Sequence, residues 1–436
     1  MAPRKLIIDT DPGCDDVMAM LLALAASPED VEVILISVTY GNIDVQNCLR
    51  NVVSLFHHIE QEIEWRKANG RPTGFEALTK SKPLVAIGPE HPLADQMLMA
   101  DYFHGTDGLG GISESHPHLS PADTWKSLFN ATSSPEQKEM QEEVQGQHAL
   151  FRASQEPGHK EILRLLREND PDTVTIAAIG PLTNLALAAA EDPEAFLRVK
   201  EVAVMGGNVF EPGNMTPVAE FNTFADSISA ARVYALTSPN PHTTMPPNPP
   251  PPPGTSATDP PPRHLAPYPP HLSRRLKVTL FPLDITSKHA LTRGSFRTAI
   301  SPLLAASSPL ATWTSAWLES TFRKVESLQD KVSGDAVGLE LHDPLTLWYC
   351  ISPSNPAWQL SENEDIRVET SGQWTRGMCV IDQRNRKKRE DESLAEVSGD
   401  HGNWLSGGAG NRLRRCVGTP GEEAFARTLL GSVFGV

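Results

Sequence analysis

The chain has 436 residues, a length that allows one large α/β domain or two smaller ones with a substantial buried core. Its 38 Lys and Arg against 54 Asp and Glu give a formal net charge of −16, which disfavours nucleic acid and anionic lipid as partners. The five scattered cysteines contain no C-x-x-C pair and are typical of reduced thiols in a cytoplasmic protein. We find neither a signal-peptide pattern at the start nor an apolar run of the ~20 residues that a membrane helix needs.

The hydrophobic pattern alternates between short apolar runs, which favour strands, and amphipathic stretches, which favour helices. The predicted strands are residues 5–9, 31–39, 173–179, 199–205 and 276–283. The predicted helices are residues 17–26, 45–59, 182–190, 227–236 with Asp226 as its N-cap, 309–328, and one more that starts after Pro344. Strands that alternate with helices predict βαβ units and therefore a parallel sheet in an α/β protein.

Three stretches depart from this alternation, and we expect them on the surface of a single domain that spans residues 1–436. Residues 130–158 are polar and weakly periodic, and residues 239–270 hold 15 of the chain's 38 prolines, so both are predicted to be flexible insertions. The proline run also fits an SH3 or WW ligand. Residues 384–391 begin with RNRKKR, which fits a solvated basic loop or a nuclear localisation signal.

An acidic cluster follows the first predicted strand, where the residues DTDPGCDD occupy positions 9–16. Four carboxylates within eight residues repel one another unless a cation lies among them, and oxygen ligands favour Ca²⁺ or Mg²⁺ over zinc. A parallel strand would place the cluster at the carboxyl edge of the sheet, where α/β proteins bind ligands. The alternative is that Asp15 and Asp16 only cap the following helix, which leaves Asp9 and Asp11 unexplained.

Two other known sites fit these carboxylates less well. An EF-hand needs a continuous loop with a distal Glu, but Pro12 interrupts this one. Phosphatases of the haloacid-dehalogenase type also carry Asp-x-Asp after a first strand, bind magnesium and form an aspartyl-phosphate. In those enzymes we expect Thr or Val two residues after the second Asp, whereas Asp11 is followed by Pro12 and Gly13.

Further polar groups are predicted at the ends of later strands. They are YGN at 40–42, IGPLTN at 179–184, MGGN at 205–208, GN at 213–214, EFN at 220–222 and HDP at 342–344. Amides and a carboxylate suit sugar hydroxyls, whereas a phosphate site would need Lys, Arg or a glycine-rich helix start. Each motif alone is also consistent with ordinary turn chemistry, and a lone histidine such as His342 is usually structural.

In their order and spacing, DTDPGCDD, YGN, IGPLTN, MGG, GN, EFN and HDP resemble the motifs of the inosine-uridine-preferring nucleoside hydrolases. The resemblance covers most of residues 4–236 and 276–350, and RGMCVIDQRN at 376–385 is similar to the final strand of the uridine-type eukaryotic branch. It implies an open, mostly parallel sheet flanked by helices, with surface insertions. It also implies hydrolysis of the N-glycosidic bond of ribonucleosides, with uridine preferred, in nucleoside salvage.

The resemblance also implies a role for each site residue. Ca²⁺ would be held by Asp11, Asp16, Asp343 and the backbone carbonyl of Ile179. The sugar would be bound by Asp15, Asn42 and Asn222 at the 2′- and 3′-hydroxyls, by Asn214 and Glu220 at the 5′-hydroxyl, and by Met205 and Phe221 along the ring. His104 would lie near the base, or else it is only a loop residue.

The chemistry of glycosidic cleavage assigns the two catalytic groups. Breaking the C1′–N bond develops an oxocarbenium-like cation, which oxygen ligands and carboxylates stabilise. Asp11 would take a proton from the attacking water, and His342 would protonate the departing base. The resemblance further implies a homodimer or homotetramer. A magnesium-dependent phosphatase and a non-catalytic nucleoside-binding protein stay open as alternatives.

Overall fold

A computed structural model describes residues 2–131, 134–248, 262–391, 393–394 and 397–436 of the chain. The strands within these residues are β1 Arg4–Thr10, β2 Val31–Val38, β3 Leu84–Ile87, β4 Arg152–Ala153, β5 Val174–Ala178, β6 Glu201–Met205, β7 Val278–Phe281, β8 Ala290–Thr292, β9 Gly338–Glu340, β10 Gln359–Leu360, β11 Arg367–Val368, β12 Cys379–Val380 and β13 Arg414–Gly418. The α-helices are α1 Cys14–Leu24, α2 Val45–Ala68, α3 Glu76–Lys80, α4 Asp101–His104, α5 Ile112–Ser115, α6 Pro135–Gly146, α7 Gly158–Glu168, α8 Thr183–Glu191, α9 Pro193–Phe196, α10 Phe221–Ala225, α11 Ser227–Ala235, α12 Leu283–Thr286, α13 Arg293–Ala305, α14 Pro309–Leu328, α15 His342–Ile351 and α16 Glu422–Phe434. None of these helices is both long and apolar enough to cross a membrane.

A nine-stranded sheet organises the molecule, with the strand order β10-β13-β7-β6-β5-β1-β2-β3-β4. Every neighbouring pair in it is parallel except β10 and β13, which pair antiparallel at one edge. Two small antiparallel ribbons, β8 with β9 and β11 with β12, lie outside this sheet. The predicted α/β class with an open, mostly parallel sheet is therefore confirmed.

Apolar cores cover both faces of the sheet. Along β1, Leu6 and Ile8 join the core formed with α1, α2, α14, α15 and α16, whereas Ile7 joins the core formed with α7, α8, α9 and α11. Successive side chains of a strand point to opposite faces, so a strand buried on both sides must be apolar throughout. This explains why the parallel strands appear in the sequence as short continuous apolar runs.

Three of the differences from the predicted elements concern α2, the segment 130–158 and the stretch 376–385. Helix α2 continues nine residues beyond the predicted end at 59, because its apolar face still packs against the core at Ile63. The segment 130–158, predicted to be an insertion, contains helix α6 and ends in the edge strand β4. The stretch 376–385, which resembles a final strand, contains only the short β12 of a ribbon, and the last strand along the described chain is β13.

The other predicted surface segments are partly described. Residues 249–261 of the proline-rich segment lie outside the described residues, but its last part packs closely. Arg232 donates hydrogen bonds to the carbonyl oxygens of Leu265 and Ala266, and Tyr268 is 3% exposed. The basic loop 384–391 contains no strand or helix, and its charges lie against carboxylates, as in the ion pairs of Arg384 with Asp382 and Asp400.

Candidate active site

The predicted site residues meet at the carboxyl ends of four neighbouring strands, β6, β5, β1 and β2. Asp11 follows β1, Asn42 follows β2, Ile179 follows β5, and Met205 ends β6. Residues scattered over almost two hundred positions therefore lie along one rim, as ligand sites of open parallel sheets do.

Two helix starts complete the acidic cluster. Helices α1 and α15 pack against each other, and their first turns bring together the buried carboxylates of Asp15, Asp16 and Asp343. One ligand oxygen from each lies within 4.8 Å of the others. Burial raises the pKa of all three carboxyls, that of Asp15 to about 6. A cation would remove the cost of burying these charges together.

Asp16 both caps α1 and faces the cluster. Its Oδ2 accepts hydrogen bonds from the backbone N–H of Gly13 at 3.0 Å and from Asn42 Nδ2 at 2.9 Å. Its Oδ1 accepts from the hydroxyl of Thr10 at 2.7 Å. The capping role weighed as an alternative is therefore real, and it coexists with membership of the acidic triad.

Asp11 is confined by the backbone around it. Its Oδ2 accepts from the backbone N–H of Asn42 at 2.8 Å, whereas its buried Oδ1 has no hydrogen-bond partner among the described residues. A Cβ at Gly41 or Gly180 would collide with the carboxylate, so both positions require glycine. Burial, and then the neighbouring Asp16, raise the pKa of Asp11 well above its ordinary value. The unpartnered oxygen and the hard carboxylate donors fit a bound cation.

Asp9 does not belong to this cluster. Its Oδ1 accepts hydrogen bonds from Ser37 Oγ at 2.5 Å and from Asn184 Nδ2 at 2.8 Å, and burial raises its pKa to about 7. The expectation that four carboxylates crowd around one cation is therefore wrong for Asp9, whose role is to link β1 to β2 and α8.

The sugar-binding residues predicted between positions 205 and 222 form one wall of the cavity. Glu220 anchors this wall, because its Oε2 accepts from the backbone N–H groups of Gly207 at 2.7 Å and Thr223 at 2.9 Å, and its Oε1 accepts from that of Asn222 at 2.7 Å. Asn214 Oδ1 accepts from the backbone N–H of Phe221 at 2.9 Å. Both side chains thus shape the wall before any ligand binds.

Asn222 connects this wall to the acidic rim. Its Nδ2 donates to the backbone carbonyl of Ile179 at 3.3 Å and lies 3.4 Å from the sulfur of Met205. The Ile179 carbonyl therefore points toward the residues that line the cavity.

His342 lies at the start of α15 with both ring nitrogens in contact with polar groups. Nδ1 is 2.8 Å from Thr286 Oγ1, and Nε2 is 3.3 Å from Glu340 Oε2. Burial alone would favour the neutral ring, but the hydrogen bond to Glu340 and the charge of Asp15 raise the pKa of His342 above its ordinary value. The ring can therefore carry and donate a proton at the cavity wall.

His104 lines the same cavity and lies beside the start of α1. Its Nδ1 accepts a hydrogen bond from the backbone N–H of Cys14 at 3.3 Å, and burial lowers its pKa to about 3. The neutral ring lines the cavity, where it can contact a ligand but holds no extra proton near neutral pH.

One cavity of about 290 Å³ joins the sugar-binding wall, both histidines and two of the triad carboxylates, whereas Asp11 and Asp16 are not among its lining residues. It is lined by Asp15, Asn42, Ala100, Tyr102, Phe103, His104, Ile179, Met205, Asn214, Glu220, Phe221, Asn222, Val325, Leu328, Gln329, Gly338, Leu339, Glu340, His342 and Asp343. This volume suits a small molecule. Among these described residues there is no Lys or Arg, so the cavity offers no partner for a phosphate group.

Apart from His104, the part of this wall that comes from α4, the end of α14 and β9 was not predicted from the sequence. Tyr102, Gln329 and Glu340 carry no motif, and they reach the cavity only because three elements distant in sequence converge there. Thr10 was also missed as a donor to Asp16. Its position inside DTDPGCDD was the one available signal.

Comparison with known proteins identifies the family. The model of the inosine-uridine preferring nucleoside hydrolases matches residues 6–401. The chain belongs to this family. Members of the family are N-glycosyl hydrolases that cleave nucleosides, so the chain is an enzyme of this class. The resemblance drawn from the motifs is confirmed.

Individual relatives agree with this assignment. The inosine-uridine preferring nucleoside hydrolase of Leishmania major is 26% identical over 398 residues, which cover 91% of this chain and 94% of that protein. Uridine nucleosidase 1 of Arabidopsis thaliana is 33% identical over 231 residues, about half of each chain at 53%. The purine-preferring ribonucleoside hydrolase from Gardnerella vaginalis superposes with a TM-score of 0.62 at 20% identity, covering 99% of this chain and 98% of that one, and so shares the fold.

Proposed function

We propose that the chain is a calcium-dependent ribonucleoside hydrolase that prefers uridine and releases ribose and free base in nucleoside salvage. The observation that carries this proposal is a cavity lined by a wall of amides, by His342 and by two carboxylates of the buried triad, Asp15 and Asp343. The similarity to a uridine nucleosidase of Arabidopsis supports the preference for uridine.

In this proposal Ca²⁺ is held by Asp11, Asp16, Asp343 and the carbonyl of Ile179. When bound, the ion supplies a positive centre that orients the ribose hydroxyls and acidifies water. Asp15 belongs to the triad and lines the cavity, so we assign it to the 2′- and 3′-hydroxyls together with Asn42 and Asn222.

The remaining sugar contacts follow the wall described above. Asn214 and Glu220 face the 5′-hydroxyl, and Met205 and Phe221 pack along the ring. Glu220 keeps acceptor capacity for one hydroxyl, because a carboxylate has about four lone-pair positions and three are used.

The chain's own groups then move two protons. The C1′–N bond breaks with its electron pair on the base, and the base takes the Nε2 proton of His342. Water forms the new C1′–O bond and loses a proton to Asp11. Exchange with solvent returns a proton to His342 and removes one from Asp11, so the net reaction is nucleoside plus water giving ribose plus base.

A panel of nucleosides tests the proposal against its alternatives. Purified protein is incubated with uridine, inosine, cytidine and uridine monophosphate, with and without a calcium chelator, and reducing sugar is measured. We expect ribose from uridine, less from the other nucleosides, and none after chelation. Phosphate release would indicate a phosphatase, and binding without ribose release would indicate a nucleoside-binding protein.

His342 is tested through the leaving group. A natural base leaves poorly as an anion, whereas nitrophenol leaves from its riboside without a proton. His342→Ala should therefore slow uridine hydrolysis on the order of 10²- to 10⁴-fold and nitrophenyl riboside hydrolysis far less. Equal losses on both substrates would show that His342 does not protonate the base.

A further inference from the structure

Glu340 forms a hydrogen-bonded pair with His342 for which the proposed mechanism gives no role. The two side chains meet at the cavity wall, with Nε2 3.3 Å from Oε2. The Glu340 side chain is 47% exposed and that of His342 is 17% exposed. The pair therefore lies at the boundary between the buried site and the opening of the cavity.

Two consecutive residues hold this pair from the side opposite the cavity. Thr286, the last residue of α12, contacts His342 Nδ1 at 2.8 Å, and the next residue, Ser287, donates to Glu340 Oε2 at 2.9 Å. Glu340 itself is the last residue of β9, which pairs with β8. The turn formed by Thr286 and Ser287 thus fixes both the imidazole ring of His342 and the carboxylate of Glu340.

The chemistry of the partners decides where the imidazole proton resides. A carboxylate only accepts hydrogen bonds, so contact with Glu340 requires a proton on Nε2. A hydroxyl both donates and accepts, so Thr286 can serve Nδ1 whether or not that nitrogen carries a proton. The contacts therefore favour a ring whose Nε2 proton lies at the cavity wall.

We propose that Glu340 is a positioning residue, which holds the ring of His342 so that its Nε2–H group lies beside the leaving base. This inference rests on the proposed role of His342 in protonating the base. The departing nitrogen replaces Glu340 as the acceptor of that proton when the C1′–N bond breaks. Without the carboxylate, the ring can rotate, and the Nε2–H group faces the leaving base in fewer of the bound complexes.

The test compares Glu340→Ala, Glu340→Gln and Ser287→Ala, with Glu362→Ala as a control at an exposed glutamate. Each variant is assayed on uridine and on nitrophenyl riboside. Glu340→Ala should lower kcat for uridine roughly 10- to 100-fold, less than removal of the acid itself, with KM changed by no more than about twofold. Its activity on nitrophenyl riboside should fall by less than about threefold.

The conservative variant separates positioning from packing and charge. Glu340→Gln retains a carbonyl oxygen that accepts from Nε2, so it should recover uridine hydrolysis to within about fivefold of the wild-type rate. Ser287→Ala leaves the carboxylate present but less fixed and should show a smaller loss than Glu340→Ala. Equal losses on the two substrates for Glu340→Ala, or no loss on either, would overturn the inference.

A double variant shows whether Glu340 acts through His342. Adding Glu340→Ala to His342→Ala should cause no further loss, because the group being positioned is already gone. A full additional loss would mean that Glu340 acts independently. If Glu340→Ala fails to fold, Glu340→Gln and Ser287→Ala in both backgrounds decide the question.

The outcomes keep this inference apart from the proposed function. If the wild-type protein releases no ribose from any nucleoside, the proposed function itself fails. If His342→Ala shows the expected dependence on the leaving group and Glu340→Ala does not, only the role of Glu340 is refuted.

Discussion

Glu220 should prove to be a determinant of stability as well as a predicted sugar contact. Its carboxylate accepts three backbone N–H groups, and the bonds from Gly207 and Thr223 are buried. Glu220→Ala leaves those two donors without a partner. At about 1–3 kcal/mol for each unsatisfied buried group, the free energy of unfolding should fall by roughly 2–6 kcal/mol.

Glu220→Gln should have a smaller effect. The amide oxygen can still accept on one side, but the NH₂ group cannot accept on the other, so we expect a loss of about 1–3 kcal/mol. Glu211→Gln, in the same loop and exposed, is the matched control and should change the free energy of unfolding by less than about 0.5 kcal/mol.

Urea unfolding followed by the fluorescence of the chain's eight tryptophans measures these differences, and uridine hydrolysis measures KM in parallel. If Glu220→Ala unfolds like the wild-type protein while KM rises, the carboxylate serves the substrate alone. The anchoring of the wall by Glu220 would then be refuted.

Three further outcomes are expected. Asp11→Asn should abolish ribose release from uridine and from nitrophenyl riboside alike, because both substrates need the attacking water, and measurable turnover on either would refute its role as the base. Uridine monophosphate should be hydrolysed at least ~10²-fold less efficiently than uridine in a ribose assay, since a phosphate near Glu220 meets like charge worth about 4 kcal/mol at 4 Å. Tyr268→Ala should lower the free energy of unfolding by about 3 kcal/mol in urea, because the buried ring packs against Arg232 with 5.0 Å between guanidinium and ring centre.

The sequence predicted the elements whose signals are local. Helix α14 begins at Pro309, as predicted, because proline suits the first turn and Ser308 accepts a hydrogen bond from the backbone N–H of Ala311. Asp226 likewise caps α11 through the backbone N–H of Ser229. These boundaries depend on neighbours within four residues, which a sequence displays directly.

Strand β13 could not be predicted, because the features that allow it are distant in sequence. It begins with Arg414 and Arg415, a pair that indicates a surface loop. In the fold, Arg414 pairs with Glu201 at 2.9 Å and Arg415 with Glu364 at 3.0 Å. Partners more than fifty residues away thus permit a charged strand beside β7.

The site residues also differ in whether the sequence could predict them. Asp11, Asp16 and Asn42 were predictable, because the carboxyl ends of neighbouring parallel strands must meet at one edge. Glu340 was not predictable as a site residue. Its approach to His342 depends on where α12 and the β8–β9 ribbon pack, and β9 is distant in sequence from α12 and β8. The cavity residues from α4, the end of α14 and β9 come from such elements, and no motif marks most of them.

At Asp16, a helix-capping role and a place in a cation site do not exclude each other. The first turns of α1 and α15 point their positive ends at the carboxylate triad, and each helix end stabilises a nearby negative charge by only about 0.3–1 kcal/mol. Burial nevertheless raises the pKa of Asp15, Asp16 and Asp343, so the helix ends and capping bonds do not offset the loss of water around three charges. The capping bonds from Gly13, Thr10 and Asn42 instead fix the direction of Asp16, and a cation remains the group that could balance the charge.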